Sequence, residues 1–408
     1  MTVDELQNLA AQCSTLTDEE LTSLLLSLPH HRPYSIDFFA RFNDHAWPQR
    51  MMARTFHHHP IQRDGTFAVQ EDAPRADDTA LVARVAAAYG KSRSTCLGAT
   101  DNMWLGTLND LKAASREVLE SADLPAIGGM LRNPAGAMLL FGFEGLHARA
   151  LAKRSREGWV QLNHARIYDL LLQLCRATGA TRVANPEASG GAEDTPGIDD
   201  MLAHLDDRLG FRVHFPNIYP LEAGLQTPRG LVGYRAVQAL YLVWRMKQLL
   251  GERASPRILE IGAGLGWSAY YAMKAGFESY TLIDLPLSGA AQGYHIGRIL
   301  GEENVAFWGE EQTAPVSILP PAAFEQLDGP FDLVVNVDSL TEMSESTARG
   351  YLAGARRLSG RFLSINHEAN PFTVESLYRK MHGIKAQRSP CWMRKGYVEE
   401  LIEFPEGQ

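Results

Sequence analysis

The stretch Arg257-Ile258-Leu259-Glu260-Ile261-Gly262-Ala263-Gly264-Leu265-Gly266 decides how this chain of 408 residues is read. A short apolar run ends in three glycines at alternate positions, and Ser268 to Ala275 then follows a helical pattern. Glycines at such a strand-to-helix turn let the backbone bend sharply and approach a ligand with no Cβ in the way. Downstream, Tyr280-Thr281-Leu282-Ile283-Asp284, Val305-Ala306-Phe307-Trp308, Phe331 to Val337 and Arg361 to Ile365 read as strands. Helical patterns over about 288–301 and 345–357 separate them. Strands alternating with helices predict βαβ units and a parallel sheet, an α/β fold.

Upstream the pattern changes. A long helical stretch runs from about Arg229 to Leu250 before Pro256 opens the alternating regime. Strand-like alternation is scarce before residue 210, and helical patterns fall at 79–90, 107–121, 144–153 and 159–177. Thr17-Asp18-Glu19-Glu20 has the form of a capping box ahead of Leu21, Leu24, Leu25 and Leu28. Residues 184–197 are rich in Pro, Gly and acid and read as a surface loop. Two domains follow: an α-rich N-terminal domain over 1–225, serving as substrate lid or oligomer contact, and an α/β domain over 226–408.

Composition narrows the function. Hydrophobic residues make up 45% and charged residues 21%, which excludes a mainly disordered chain. The net charge is −9 with no run of Lys or Arg, which argues against a nucleic-acid partner and favours small molecules. Four cysteines, Cys13, Cys96, Cys175 and Cys391, lie far apart and suit a reduced, cytoplasmic setting. No apolar stretch approaches the length of a membrane span.

The glycine spacing is Gly-x-Gly-x-Gly, not the Gly-x-Gly-x-x-Gly of dinucleotide sites. Glu260 beside the turn would repel a pyrophosphate but attracts the ammonium and sulfonium of S-adenosyl-L-methionine (SAM). Asp284 closes the next strand, where a carboxylate can accept hydrogen bonds from both ribose hydroxyls. Turn, Glu260 and Asp284 together point to SAM as cofactor.

These residues resemble the first motif of the class I SAM-dependent methyltransferases, over about 226–408. With Asn336-Val337-Asp338-Ser339-Leu340-Thr341-Glu342 and Ser364-Ile365-Asn366-His367-Glu368, and the helix bearing Arg235, Tyr241 and Arg245, the chain looks like a sugar O-methyltransferase. Asp101-Asn102-Met103-Trp104 and Phe141-Gly142-Phe143-Glu144 extend that pattern upstream. The resemblance implies a Rossmann-like fold with a mainly parallel seven-stranded sheet. It places Gly262, Gly264, Gly266, Leu285 and Asn336 around the cofactor, Glu260 at its methionine end and Asp284 at its ribose. Trp308, taken as following the third strand, would flank the adenine. The Asn-Pro-Pro-Tyr signature of amino-directed nucleic-acid methyltransferases is absent at Asn336 to Ser339.

Ligands in such sheets sit at the C-terminal strand ends. The polar residues past the fourth and fifth strands, Asp338, Glu342, His367 and Glu368, are therefore the candidates for activating an acceptor hydroxyl. His367 is the natural general base, its unperturbed pKa lying near 6.5. Asp338 could orient it, take the proton itself, or join Glu342 in holding Mg²⁺ through water, although no third metal ligand is identifiable. His295 with Tyr294 and Arg298 reads as a solvated helix face, and His57-His58-His59 as surface. The expected reaction is methylation of a sugar or another hydroxylated small molecule. Methylation at nitrogen or a carboxylate, a nicotinamide-dependent oxidoreductase and a non-catalytic SAM-binding module stay open, as does homo-oligomerisation.

Overall fold

The computed structural model describes residues 65–72, 77–96, 112–140, 142–143, 156–183 and 196–405. Its strands are β1 (Phe67–Val69), β2 (Ala223–Thr227), β3 (Gly230–Val232), β4 (Arg257–Ile261), β5 (Ser279–Ile283), β6 (Val305–Phe307), β7 (Val316–Leu319), β8 (Leu333–Val337), β9 (Arg361–His367), β10 (Lys385–Pro390) and β11 (Tyr397–Glu403). The α-helices are α1 (Thr79–Arg93), α2 (Ala113–Glu120), α3 (Leu124–Arg132), α4 (Arg156–Thr178), α5 (Ile198–Leu209), α6 (Tyr234–Leu250), α7 (Trp267–Lys274), α8 (Pro286–Leu300), α9 (Glu345–Leu358) and α10 (Val374–Tyr378).

Eight strands form the main sheet in the order β10-β11-β9-β8-β4-β5-β7-β6. β4 to β9 run parallel, and β11 inserts antiparallel between β9 and β10. β4 has β5 on one side and β8 on the other, so the chain order reverses there. Ligands of doubly wound sheets bind at this switch point. The fold is thus α/β and Rossmann-like with a mainly parallel sheet, of eight strands where seven were expected, and its last two strands, β10 and β11, lay outside the sequence reading.

Two further details differ from the sequence reading. The strand beside β5 is β7, whereas Val305 to Phe307 forms an additional edge strand outside it. β7 escaped notice because its four residues lie between Pro315 and Pro320 with no alternation to mark them. A small antiparallel sheet, β1-β2-β3, also joins the N-terminal half to the segment before α6. The division expected at residue 225 falls inside β2.

Both faces of the sheet are covered, as continuous apolar strands require. Ile258, Leu282, Leu333, Val335 and Leu363 enter the larger core, with residues of α1, α4, α5, α6, α7 and α8. Leu259, Ile261, Ile283, Val334 and Phe362 point the other way, into a core with α9 and α10. The alternation is the period-two pleat of each strand. Asp78 ties the N-terminal helices to the sheet: its carboxylate accepts from Arg132 Nε (3.1 Å), Tyr294 Oη (2.6 Å) and Arg298 Nη1 (3.2 Å). It stands at the α1 N-cap but makes no side-chain cap, being taken by these partners.

His295 is buried, not solvated. Its Nδ1 lies 2.9 Å from the Leu265 carbonyl, and burial pushes its pKa down to about 4. The capping box at Thr17, the three histidines at 57–59, Trp104, Phe141 and Glu144 lie outside the described residues. No described helix is long and apolar enough to cross a membrane.

Candidate active site

The glycine turn adopts the backbone that only glycine enters freely. Gly262, Gly264 and Gly266 have φ of 74°, 59° and 78°. A Cβ on Gly262 would collide with Ser339 Oγ, and one on Gly266 with Ile296. Gly264 differs, because the atom nearest its missing Cβ is Phe143 Cα at 4.0 Å. Two glycines permit packing, and the third keeps a surface bare.

That surface opens on a cavity of about 1270 Å³ lined by the turn, Glu260, Asp284, Leu285, Arg235, Gln238, Asp338 and Glu342. The cavity crosses the C-terminal ends of β5, β4 and β8, the neighbouring strands at the switch point.

Asp284 is held at one end. Its Oδ2 accepts from Ala263 N (3.1 Å) and Gln292 Nε2 (2.5 Å), and Oδ1 from Leu285 N (2.8 Å). Burial raises its pKa to about 6, against the pull of these donors and of Lys112. Gln292 sits on α8, two turns on from Asp284, and its Oε1 is buried without a partner. Lys112 is itself buried with Nζ 3.6 Å from the Phe143 ring centre, and desolvation lowers its pKa to about 7.

Glu260 belongs to the face of β4 that looks toward α7. Its Oε2 accepts from Ser268 Oγ and from Tyr280 Oη (2.9 Å). Burial pushes its pKa up to about 7 despite those bonds. One edge of Glu260 is therefore structural while the residue still borders the cavity.

Asp338 has a left-handed backbone, φ 69°, and its Oδ2 accepts from Arg235 Nη1 (3.1 Å) and Arg394 Nη1 (2.6 Å). Its Oδ1 is buried without a partner. Desolvation opposes ionisation here, but the two guanidiniums outweigh it and hold the carboxyl at about 2. So strongly ionised a group is a weak base, and its clamped oxygen is not available to a metal. The Mg²⁺ reading does not fit this donor set. Among the described residues no group of three metal-ligating side chains occurs.

Three sequence assignments move. His367 ends β9 but does not line the cavity. It packs edge-on against Tyr397, its cross-strand neighbour, with ring centres 5.4 Å apart, and its Nδ1 accepts from Ala369 N (3.3 Å). Asn336 is fully buried beneath the turn, where Nδ2 donates to the Ile261 carbonyl (2.8 Å) and Ser339 Oγ (2.6 Å). It braces the turn from below and does not touch the cavity. Trp308 follows the edge strand β6 and borders a separate small void, so Pro321, Ala322 and Phe324, which follow β7, take the wall assigned to it. Arg394, Gln238, Gln292, Lys112 and Ser268 were not anticipated. Only Ser268 and Gln292 stood near enough in sequence to a motif to be found.

No profile of a known protein family matches the chain, and no curated protein sequence does. Solved structures similar to it include a glycopeptide N-methyltransferase complexed with SAM, at 16% identity over 44% of this chain and 100% of that one, TM-score 0.32. Another is the magnesium protoporphyrin IX methyltransferase of Synechocystis PCC 6803 with bound SAM, at 13% identity over 41% and 83%, TM-score 0.29. A third is a Podospora anserina methyltransferase bound to S-adenosylhomocysteine (SAH), at 15% over 44% and 80%, TM-score 0.29. The fold of this chain rests on its own strand order and register.

Proposed function

We propose that the chain is a SAM-dependent methyltransferase acting on a hydroxyl of a sugar or another hydroxylated small molecule. The observation that carries the cofactor is Gly264, bare toward the cavity between two carboxylates, Glu260 and Asp284. A nucleoside lies flat on such a turn. Asp284 accepts from the ribose hydroxyls, braced by Gln292 behind it, and Glu260 faces the cationic end. Bound there, SAM supplies an electrophilic methyl group on a sulfonium.

The acceptor takes the far side of the cavity. A hydroxyl can donate to Asp338 Oδ1, the buried oxygen that no protein donor reaches. Asp338 then orients the acceptor through that hydroxyl, and the neighbouring hydroxyl that reacts gives its single proton to Glu342, which lines the cavity on the 3-10 turn that follows. Much of the rate comes from holding the oxygen in line with the methyl group, several kcal/mol in well-oriented reactions. The cavity exceeds the roughly 300–1,000 Å³ of a single small-molecule pocket, which suits two ligands.

Two results follow for the cofactor. Asp284→Ala should weaken SAH binding by about 1.5–3 kcal/mol, the worth of hydrogen bonds to a charged group, as read by calorimetric titration. Unchanged affinity would remove the ribose assignment. SAM affinity should also climb with pH, by roughly tenfold or more between about pH 5.5 and 8. Glu260 and Asp284 have raised pKa values, about 7 and about 6, and SAM favours their ionised forms. In the free protein the sign is opposite: stability from these raised carboxyls is present below their unfolded pKa values and is lost as pH rises through 6 and 7. A flat binding profile would contradict the placement of the cationic end.

The reaction is tested with methyl-deuterated SAM and a metabolite extract. A labelled sugar or glycoside supports the proposal. Label on nitrogen or on a carboxylate overturns the hydroxyl assignment and leaves the methyl transfer.

A further inference from the structure

We propose that the cavity-facing side of α6 near its start is an anion site, and that the acceptor is an acid whose carboxylate or phosphate binds Arg235 and Gln238 while a hydroxyl of it meets Asp338. This rests on the reading of the cavity as a methyl-transfer site, and it adds the chemical class of the acceptor.

Three observations converge. First, Arg235 and Gln238 both line the cavity, and Gln238 Nε2 is buried with no partner. Arg235 Nη1 donates to Gln238 Oε1 (3.2 Å), so the amide is fixed with its oxygen on the guanidinium and its NH₂ left to give. A buried donor in this state is costly until an acceptor arrives.

Second, the charge is unbalanced. Three guanidiniums gather on the Tyr234 ring, Arg166 at 3.8 Å, Arg235 at 5.3 Å and Arg394 at 5.9 Å from its centre. Asp338 pairs with Arg235 and Arg394, and among the described residues no carboxylate pairs with Arg166. Partly buried positive charge in excess of its partners among the described residues favours an added anion. The Tyr234 phenol reports the same field, since the arginines overcome its burial and pull its pKa down to about 8.

Third, this is a helix N-terminus. α6 runs 17 residues from Gly233, which offers no side-chain cap. The positive end of the helix dipole lies at Arg235, the residue of that turn which lines the cavity. Arg235 also donates to the Gly142 carbonyl (3.2 Å), next to the Phe143 that borders the glycine turn, and it ties this wall to Asp338 beyond β8.

The test titrates the full-chain protein, with and without saturating SAH, using D-glucuronate, D-glucose 6-phosphate and neutral methyl α-D-glucopyranoside. The acids should bind roughly tenfold or more tightly than the neutral glycoside, and added salt should weaken them. A preference for one acid separates carboxylate from phosphate. Arg235→Gln should lose roughly tenfold in acid binding, and Gln238→Leu, which removes an amide and no ion pair, about threefold. If Arg235→Gln does not fold, Gln238→Leu carries the test.

Equal binding of acids and neutral glycoside, no binding of either acid, or acid affinities unchanged in Gln238→Leu overturns the proposal. So does a loss of SAH affinity in Arg235→Gln that 5′-methylthioadenosine, which lacks the amino-acid end, does not share. That result would assign the corner to the cofactor's own carboxylate. A parent protein that binds no SAH contradicts the cofactor reading, and the acid titration without SAH still decides this one.

Discussion

Asp338→Ala is expected to lower the unfolding free energy by roughly 3 kcal/mol at pH 7, measured by urea denaturation. The carboxylate neutralises Arg235 and Arg394 in a largely buried corner, so its removal leaves two guanidiniums with no ion-pair partner among the described residues. The pH dependence identifies the cause. The folded pKa is lowered to about 2, so the stabilisation is present above the unfolded value of about 3.9. It is lost as pH falls through 2, and the difference between parent and variant should shrink as pH drops below 4. A loss under about 1 kcal/mol at pH 7 would show the corner to be solvated and the pairing weak.

The glycine turn gives the second large effect, by separating folding from binding. Gly262→Val puts branched carbon against Ser339 and forces a side chain into a φ of 74°. The expected cost is about 3 kcal/mol or more from strain and overpacking, seen as a sharply lowered unfolding midpoint. Gly264→Ala meets only Phe143 Cα, at an ordinary contact distance of 4.0 Å, so its stability cost is the left-handed backbone, about 1–2 kcal/mol. Yet its methyl group occupies the surface on which a ligand would lie. SAH binding should be lost from a folded Gly264→Ala protein. A folded variant that binds SAH like the parent would move the cofactor away from the turn.

What could be read from sequence follows the range of the interactions. The turn and Asp284 were legible because their chemistry is local: three glycines in five residues, and a carboxylate at the next strand end. The strand–helix alternation was legible for the same reason, since both faces of the central strands are buried and β4 and β8 are nearly continuous apolar runs. β7 was lost between prolines, and with it the position of Trp308. The corner around Asp338 was misread because it is assembled at long range. Asp338 looked like a base or a metal ligand until Arg394, 56 residues on in the β10–β11 loop, proved to hold it ionised. Glu260 looked like a free cofactor contact until the pleat aimed it toward Ser268 and Tyr280. His367 has the right residue type at the right strand end, but it packs on Tyr397, beside the cavity and not in it.

The most direct test of the cofactor assignment is a calorimetric titration of the full chain with SAH and, separately, with NAD⁺. One saturable SAH site, weakened in Asp284→Ala, with no NAD⁺ binding, is the predicted result. Saturable binding of NAD⁺ with none of SAH would contradict the account, because a turn that accepts a pyrophosphate beside Glu260 is not the one described here.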